Sequence, residues 1–194
     1  MARIRSGNQP ALVVVDVQVG VMADAWDAQR IIGNVARTVK RAREHGVPVI
    51  WVQHEDNEMP RGSPPWQLVP SLVPAPGEAR IHKRFESSFE DTRLEDELAR
   101  AGATHIVLAG AATNWCIRAT AYGALDRGYD LTLVRDAHTT KSIERKNGST
   151  IEAAGIVAEL NVVMTWLSYP GRKNAAAAAE EVDFGAAPAG GGMS

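Results

Sequence analysis

The chain of 194 residues holds a single cysteine, Cys116. No internal disulfide can form, so the fold does not depend on an oxidising compartment, and a reduced thiol fits the inside of a cell. An excess of one charge is also missing: 21 Lys and Arg stand against 23 Asp and Glu, a formal net charge of −2. Such a balance gives no electrostatic reason to expect nucleic acid or an anionic membrane as a partner. Long apolar runs are absent too. No stretch approaches the roughly 18 to 20 apolar residues of a membrane span, and the first seven residues hold no signal-peptide core. The expectation is a cytoplasmic protein. No internal repeat is evident.

With 45% hydrophobic and 23% charged residues, the composition is that of an ordinary globular domain. Apolar runs of strand length alternate with segments of helical periodicity. That alternation reads as an α/β fold: a doubly wound, mainly parallel six-stranded sheet with helices on both faces, a Rossmann-like three-layer arrangement. Strands are expected at 11–17, 48–53, 79–82, 105–109, 130–135 and 161–166. Helices are expected at 27–45, 91–101, 114–127 and 149–159. In the first of these, Ile31, Val35, Val39 and Ala42 share a face and Gly46 follows as a stop. Residues 54–78 carry Pro60, Pro64, Pro65, Pro70, Pro74 and Pro76, which forbid a continuous regular element. Loops of that length in a compact domain usually serve function. The domain is read as residues 1–173. Residues 174–194, with Ala175–Ala179 and Gly190-Gly191-Gly192, read as a low-complexity tail with little to bury.

Cys116 closes the segment Gly110-Ala111-Ala112-Thr113-Asn114-Trp115-Cys116, and Ile117, Ala121, Ala124 and Leu125 follow at helical spacing. The thiol therefore falls in the first turn of a helix. Unpaired N–H groups and the positive end of the macrodipole favour a thiolate there, so a lowered pKa is expected. A lone cysteine also serves as a small buried hydrophobe, so its companions decide. Ala11–Val15 ends in Asp16, at the carboxyl end of a central strand, where open α/β sheets place their chemistry. Another short apolar segment leads to Lys83. Singly, Asp16 could turn the chain and Lys83 could belong to a solvated edge beside Arg84. With Cys116 they supply a proton acceptor and donor, a cation and a nucleophile, the parts amide hydrolysis requires.

These segments resemble the isochorismatase-like cysteine hydrolases, which include nicotinamidases, N-carbamoylsarcosine amidohydrolases and ureidoacrylate amidohydrolases. The matching residues are Val13–Gln18, Lys83–Phe89 and Gly110–Cys116, with Ala119-Thr120, Gly128–Asp130 and Asp136-Ala137 beyond. The resemblance implies an Asp16-Lys83-Cys116 catalytic triad acting through a thioester. It also implies a cis Ala111–Ala112 peptide whose Ala112 N–H joins that of Cys116 in an oxyanion hole, and a homo-oligomer, dimer or tetramer, with sites near subunit contacts. Thr113 or Asn114 is expected to cap the helix.

Nicotinamidases of this family bind a divalent ion through an Asp-x-His pair and a further His after the second strand. This chain reads Trp51-Val52-Gln53-His54-Glu55-Asp56-Asn57 there, without that set. No metal and no cofactor are therefore expected. Gln18, Gln53, His54, Phe85 and Trp115 are the candidate substrate-binding residues, and Ser87 and Ser88 the candidates for pinning the Lys83 loop. Glu55 and Asp56 near the entrance suggest a polar or cationic substrate. The expected activity is metal-independent hydrolysis of a small molecule's amide, ureido or lactam C–N bond. Two alternatives remain open: hydrolysis of an isochorismate-like vinyl ether, and a binding protein or thiol redox sensor on the same fold.

Overall fold

The computed structural model describes residue 5 and residues 7–185. Its sheet grows outward from β1 (Pro10–Val15), whose residues 11–15 are buried on both faces. A run of β-branched and aliphatic side chains suits such a doubly covered strand. β2 (Val49–His54) and β3 (Ala79–Lys83) lie on one side of β1; β4 (His105–Ala111), β5 (Asp130–Thr139) and β8 (Asn174–Ala177) lie on the other. The order is β3-β2-β1-β4-β5-β8, and every pair is parallel. Between β5 and β8 comes a short antiparallel hairpin of β6 (Ile143–Glu144) and β7 (Thr150–Ile151).

After β1 the chain makes a single helical turn, α1 (Val19–Met22), before the long helix α2 (Ala28–Glu44). Alternate residues of each strand feed two cores. Ala11, Val13, Val15, Ile106 and Leu108 face α3 (Leu94–Arg100), α4 (Arg118–Asp126) and α5 (Ala153–Trp166). Leu12, Val14, Trp51 and Val107 face α2, which presents Ile31, Val35, Val39 and Ala42. The doubly wound α/β class expected from the sequence is thus the observed one.

The sixth strand is not where periodicity placed it. Residues 161–166 complete α5, because the buried Ile156, Val157, Leu160 and Met164 recur at helical spacing, and Leu160 and Met164 pack into one core. The strand is instead Asn174–Ala177, paired with Leu131–Val134, inside the segment read as a tail. Ala179, Val182 and Phe184 follow it into the α2 core, where Arg41 donates to the carbonyls of Ala179 and Val182. Residues 174–184 therefore complete the domain. Alanine has little strand preference, so sheet pairing decides. The rest of the expected tail, 186–194, lies outside the described residues.

Two neighbouring strands set the position of the site. β1 leads toward α2 on one face, and β4 leads toward α4 on the other, so a crevice opens beyond their carboxyl ends.

Candidate active site

Asp16 follows β1 directly, with φ of 52°, a left-handed conformation that aspartate tolerates better than most residues. Lys83 ends β3, paired in register with His54 at the end of β2. β4 ends at Ala111, the Ala111–Ala112 peptide is cis, and a π-helical turn, Thr113–Ile117, carries Cys116 into α4. Gly110 permits this layout: with φ of 125°, a Cβ there would stand 1.9 Å from the Val15 carbonyl oxygen. Only glycine lets β4 pass the last residue of β1 so closely.

The three side chains meet. Lys83 Nζ lies 2.7 Å from Asp16 Oδ2 and donates to Cys116 Sγ at 3.1 Å and to the Phe85 carbonyl at 3.2 Å. Asp16 and Lys83 are each 1% exposed, and Asp16 Oδ1 has no hydrogen-bond partner. Burial alone would lower the Lys83 pKa, but the Asp16 carboxylate and then Cys116 outweigh it and hold the ammonium above its ordinary value. The Cys116 thiol is pushed up to about 12, by burial first and then by the Asp16 charge, with Lys83 opposing. The expected thiolate is thus corrected to a neutral thiol. Lys83 does favour ionisation, but its charge is already committed to Asp16.

His54 borders the trio, with Nδ1 3.4 Å from Lys83 Nζ and Nε2 3.3 Å from Asp56 Oδ2. An ammonium facing Nδ1 puts the ring proton on Nε2, toward Asp56. Among the described residues no three His, Cys, Asp or Glu side chains converge as a metal-binding group. Above the trio opens a cavity of about 750 Å³, with Asp16, Cys116, Ala111 and Ala112 at its floor and Trp115, 59% exposed, at its mouth.

The sequence profile of the isochorismatase domain matches residues 10–167. The chain belongs to the isochorismatase family. It is similar to a streptothricin hydrolase of Streptomyces noursei, 34% identical over 154 residues that cover 74% of this chain and 60% of that protein. It is similar to the ureidoacrylate amidohydrolase RutB of Methylobacterium radiotolerans, 28% identical over 212 residues, covering 86% and 82%. Among solved structures, an isochorismatase from Pseudomonas putida KT2440 matches with a TM-score of 0.79 at 28% identity, over 89% of each chain. The chain spans between half and 60% of the length of the streptothricin hydrolases it matches.

Within this family member, several residues singled out as pocket groups serve the scaffold instead. Gln18 is fully buried; its Nε2 donates to the carbonyls of His54 and Trp66, and its Oε1 accepts from the His54 N–H. Gln53 also donates to the Trp66 carbonyl. The two amides fasten the proline-rich loop to the ends of β1 and β2, and so bring Met59 and Pro65 to the cavity wall. Phe85 is half-exposed and outside the cavity; only its carbonyl reaches the trio. Glu55 pairs with Arg84 and also lies outside it, whereas Asp56 lines it. Ser88 fixes the segment after Lys83 to α4 through Thr120. Ala112 occupies the N-cap position and no side chain caps the turn: Thr113 bonds His138, and Asn114 accepts from Thr140.

Sequence reasoning missed much of the cavity lining, Thr140–Glu144 together with Asp24, Glu58 and Glu86. One signal was available. Asn147-Gly148 is a hairpin signal, and Gly148 sits at φ of 79°, its N–H on the Arg145 carbonyl, in the longer turn between β6 and β7. Asp24, Glu58 and Glu86 carry no local signal, because they converge only through the tertiary fold.

Proposed function

We propose that this chain is a cysteine hydrolase that cleaves an amide, ureido or lactam C–N bond of a small molecule through a thioester. The observation that carries the reading is the buried Asp16-Lys83-Cys116 contact set, with a carboxylate oxygen left unpartnered beside a thiol at the cavity floor. In this mechanism Cys116 Sγ attacks the carbonyl carbon as its proton passes to Asp16. The oxyanion accepts from the backbone N–H groups of Ala112 and Cys116. Collapse breaks the C–N bond, and Asp16 returns the proton to the leaving nitrogen. Water, deprotonated by Asp16, then cleaves the thioester and releases the acid and the thiol. Lys83 keeps its charge throughout and holds carboxylate and sulfur in place.

The neutral resting thiol fits this order, since a proton must still be present for Asp16 to take. The similar streptothricin hydrolase and ureidoacrylate amidohydrolase support the bond type. We further read the enzyme as metal-independent and cytoplasmic. The Lys83 ammonium beside His54 Nδ1 would repel a divalent ion there. Self-association as a dimer or tetramer is supported by Val162 and Trp166, exposed on the outer side of α5, and light scattering tests it.

The test is turnover on a panel of amides, ureido acids and lactams that includes streptothricin and ureidoacrylate, for the native chain and Cys116→Ala, before and after exhaustive chelation. Hydrolysis that survives chelation and is lost with the thiol, with an acyl adduct on Cys116 seen by mass spectrometry, is the expected result. Activity retained in Cys116→Ala refutes the mechanism.

A further inference from the structure

We infer that the cavity selects substrates that carry a positive charge away from the scissile bond, an inference that rests on the hydrolase reading above. Besides Asp16, five carboxylates line the cavity: Asp24, Asp56, Glu58, Glu86 and Glu144. Lys141 is the one cationic side chain among the lining residues, because Lys83 lies beneath and is committed to Asp16. The wall thus carries four uncompensated negative charges, although the whole chain has a net charge of only −2. The remainder is therefore slightly basic. Charge has been sorted toward the cavity.

Most of these carboxylates are free to act. Asp24, Glu58 and Glu86 have no ion pair among the described residues, and Glu144 accepts only from the Thr150 hydroxyl. Asp56 faces His54 Nε2 and accepts from the N–H groups of Glu58 and Met59, so it stays charged with its pKa below the ordinary range. Single exposed charges are screened within about 8 Å at physiological salt. Several on the wall of one concavity reinforce one another and raise the local concentration of an opposite charge.

Two features of a different kind point to a ligand in the same space. Asp16 lines the same cavity, almost wholly buried, and its Oδ1 has no hydrogen-bond partner. Trp115, 59% exposed, lines the same cavity, and an indole face attracts a cation. A substrate with its amide at Cys116 and an ammonium or guanidinium group toward the mouth meets both. A carboxylate-bearing substrate meets repulsion from several sides.

The experiment compares kcat/KM for three matched amides bearing an amine, no charge and a carboxylate, at low and high salt. The amine should exceed the carboxylate by about tenfold or more, chiefly through KM, with the gap narrowing as salt rises. The combined variant Asp24→Asn, Glu58→Gln, Glu86→Gln should shrink that ratio several-fold, and Trp115→Leu should weaken the amine substrate most. Glu44→Gln, at the far end of α2, should leave the ratio where it is. Equal or reversed preference in a Cys116-dependent enzyme overturns this inference and leaves the hydrolase reading standing. If no amide is turned over, that reading fails, and calorimetry of spermidine with the Cys116→Ser protein decides the cation site. Salt-sensitive binding weakened by the triple variant supports it; no binding overturns it.

Discussion

On either side of the turn that carries Cys116 lies a buried polar cluster, and the two are finished differently. In one, His138 is fully buried between Thr113 and Asn161. Asn161 Nδ2 donates to the Arg135 carbonyl, so its Oδ1 must accept, and His138 Nε2 must carry the proton. Nδ1 is then left to accept from the Thr113 hydroxyl. Every ring nitrogen is used, and burial lowers the His138 pKa to about 4. In the other cluster, Asp16 keeps an empty oxygen and the thiol is held far from ionisation. An unmet buried acceptor costs about 1 to 3 kcal/mol, which the surrounding fold must offset. A completed cluster positions the backbone; an open one leaves a demand that a substrate satisfies.

Asp16→Asn should separate the two roles most sharply. Hydrolysis should fall by about 10³-fold or more, as expected for a member of a cooperative unit. Alkylation of Cys116 by iodoacetamide should instead quicken, by about threefold for each unit by which the thiol pKa drops, because burial still raises it but the Asp16 charge that adds to burial is gone. Slower alkylation in this variant would contradict the electrostatic account.

Gly110→Ala should disturb both clusters at once. The added methyl has nowhere to go against the Val15 carbonyl, and its position precedes Ala111 while Val15 precedes Asp16. A loss of about 3 kcal/mol or more is expected, read as a lowered Tm or loss of soluble protein.

His138→Gln should act mainly on stability. Because the native pKa of about 4 lies below the ordinary 6.5, the unfolded chain binds the proton first as pH falls. The stabilisation is complete above about pH 6.5 and is lost progressively down to about pH 4, on the order of 3 kcal/mol. Denaturant melts across that window should show a shallower decline in the variant than in the native chain, with kcat reduced less than about tenfold at neutral pH.

The completed cluster was the less legible of the two in the sequence. Asp16, Lys83 and Cys116 each end or follow an apolar run, and chain order alone brings such ends to one edge of a parallel sheet. His138 continues β5 beyond Arg135, where the sequence predicts the strand to end, so nothing local marks it as buried. Gln18 and Gln53 show the opposite error. Both stand where pocket residues belong, but their amides are consumed by the loop that the prolines keep irregular. Helix position in the sequence points to a lowered thiol pKa, but burial and then the Asp16 charge, which only the fold brings together, act on it more strongly.

The alanine strand Asn174–Ala177 covers one flank of β5. Remove it, and the N–H and C=O groups of Leu131–Val134 become an open sheet edge, a template for a strand from another molecule. A chain ended at residue 173 is therefore expected to aggregate with rising concentration, visible as turbidity that the full chain does not show. The plainest stretch of the sequence would then be a guard against unwanted pairing. Its small side chains suit that role, closing the ladder while offering little apolar surface to a stranger.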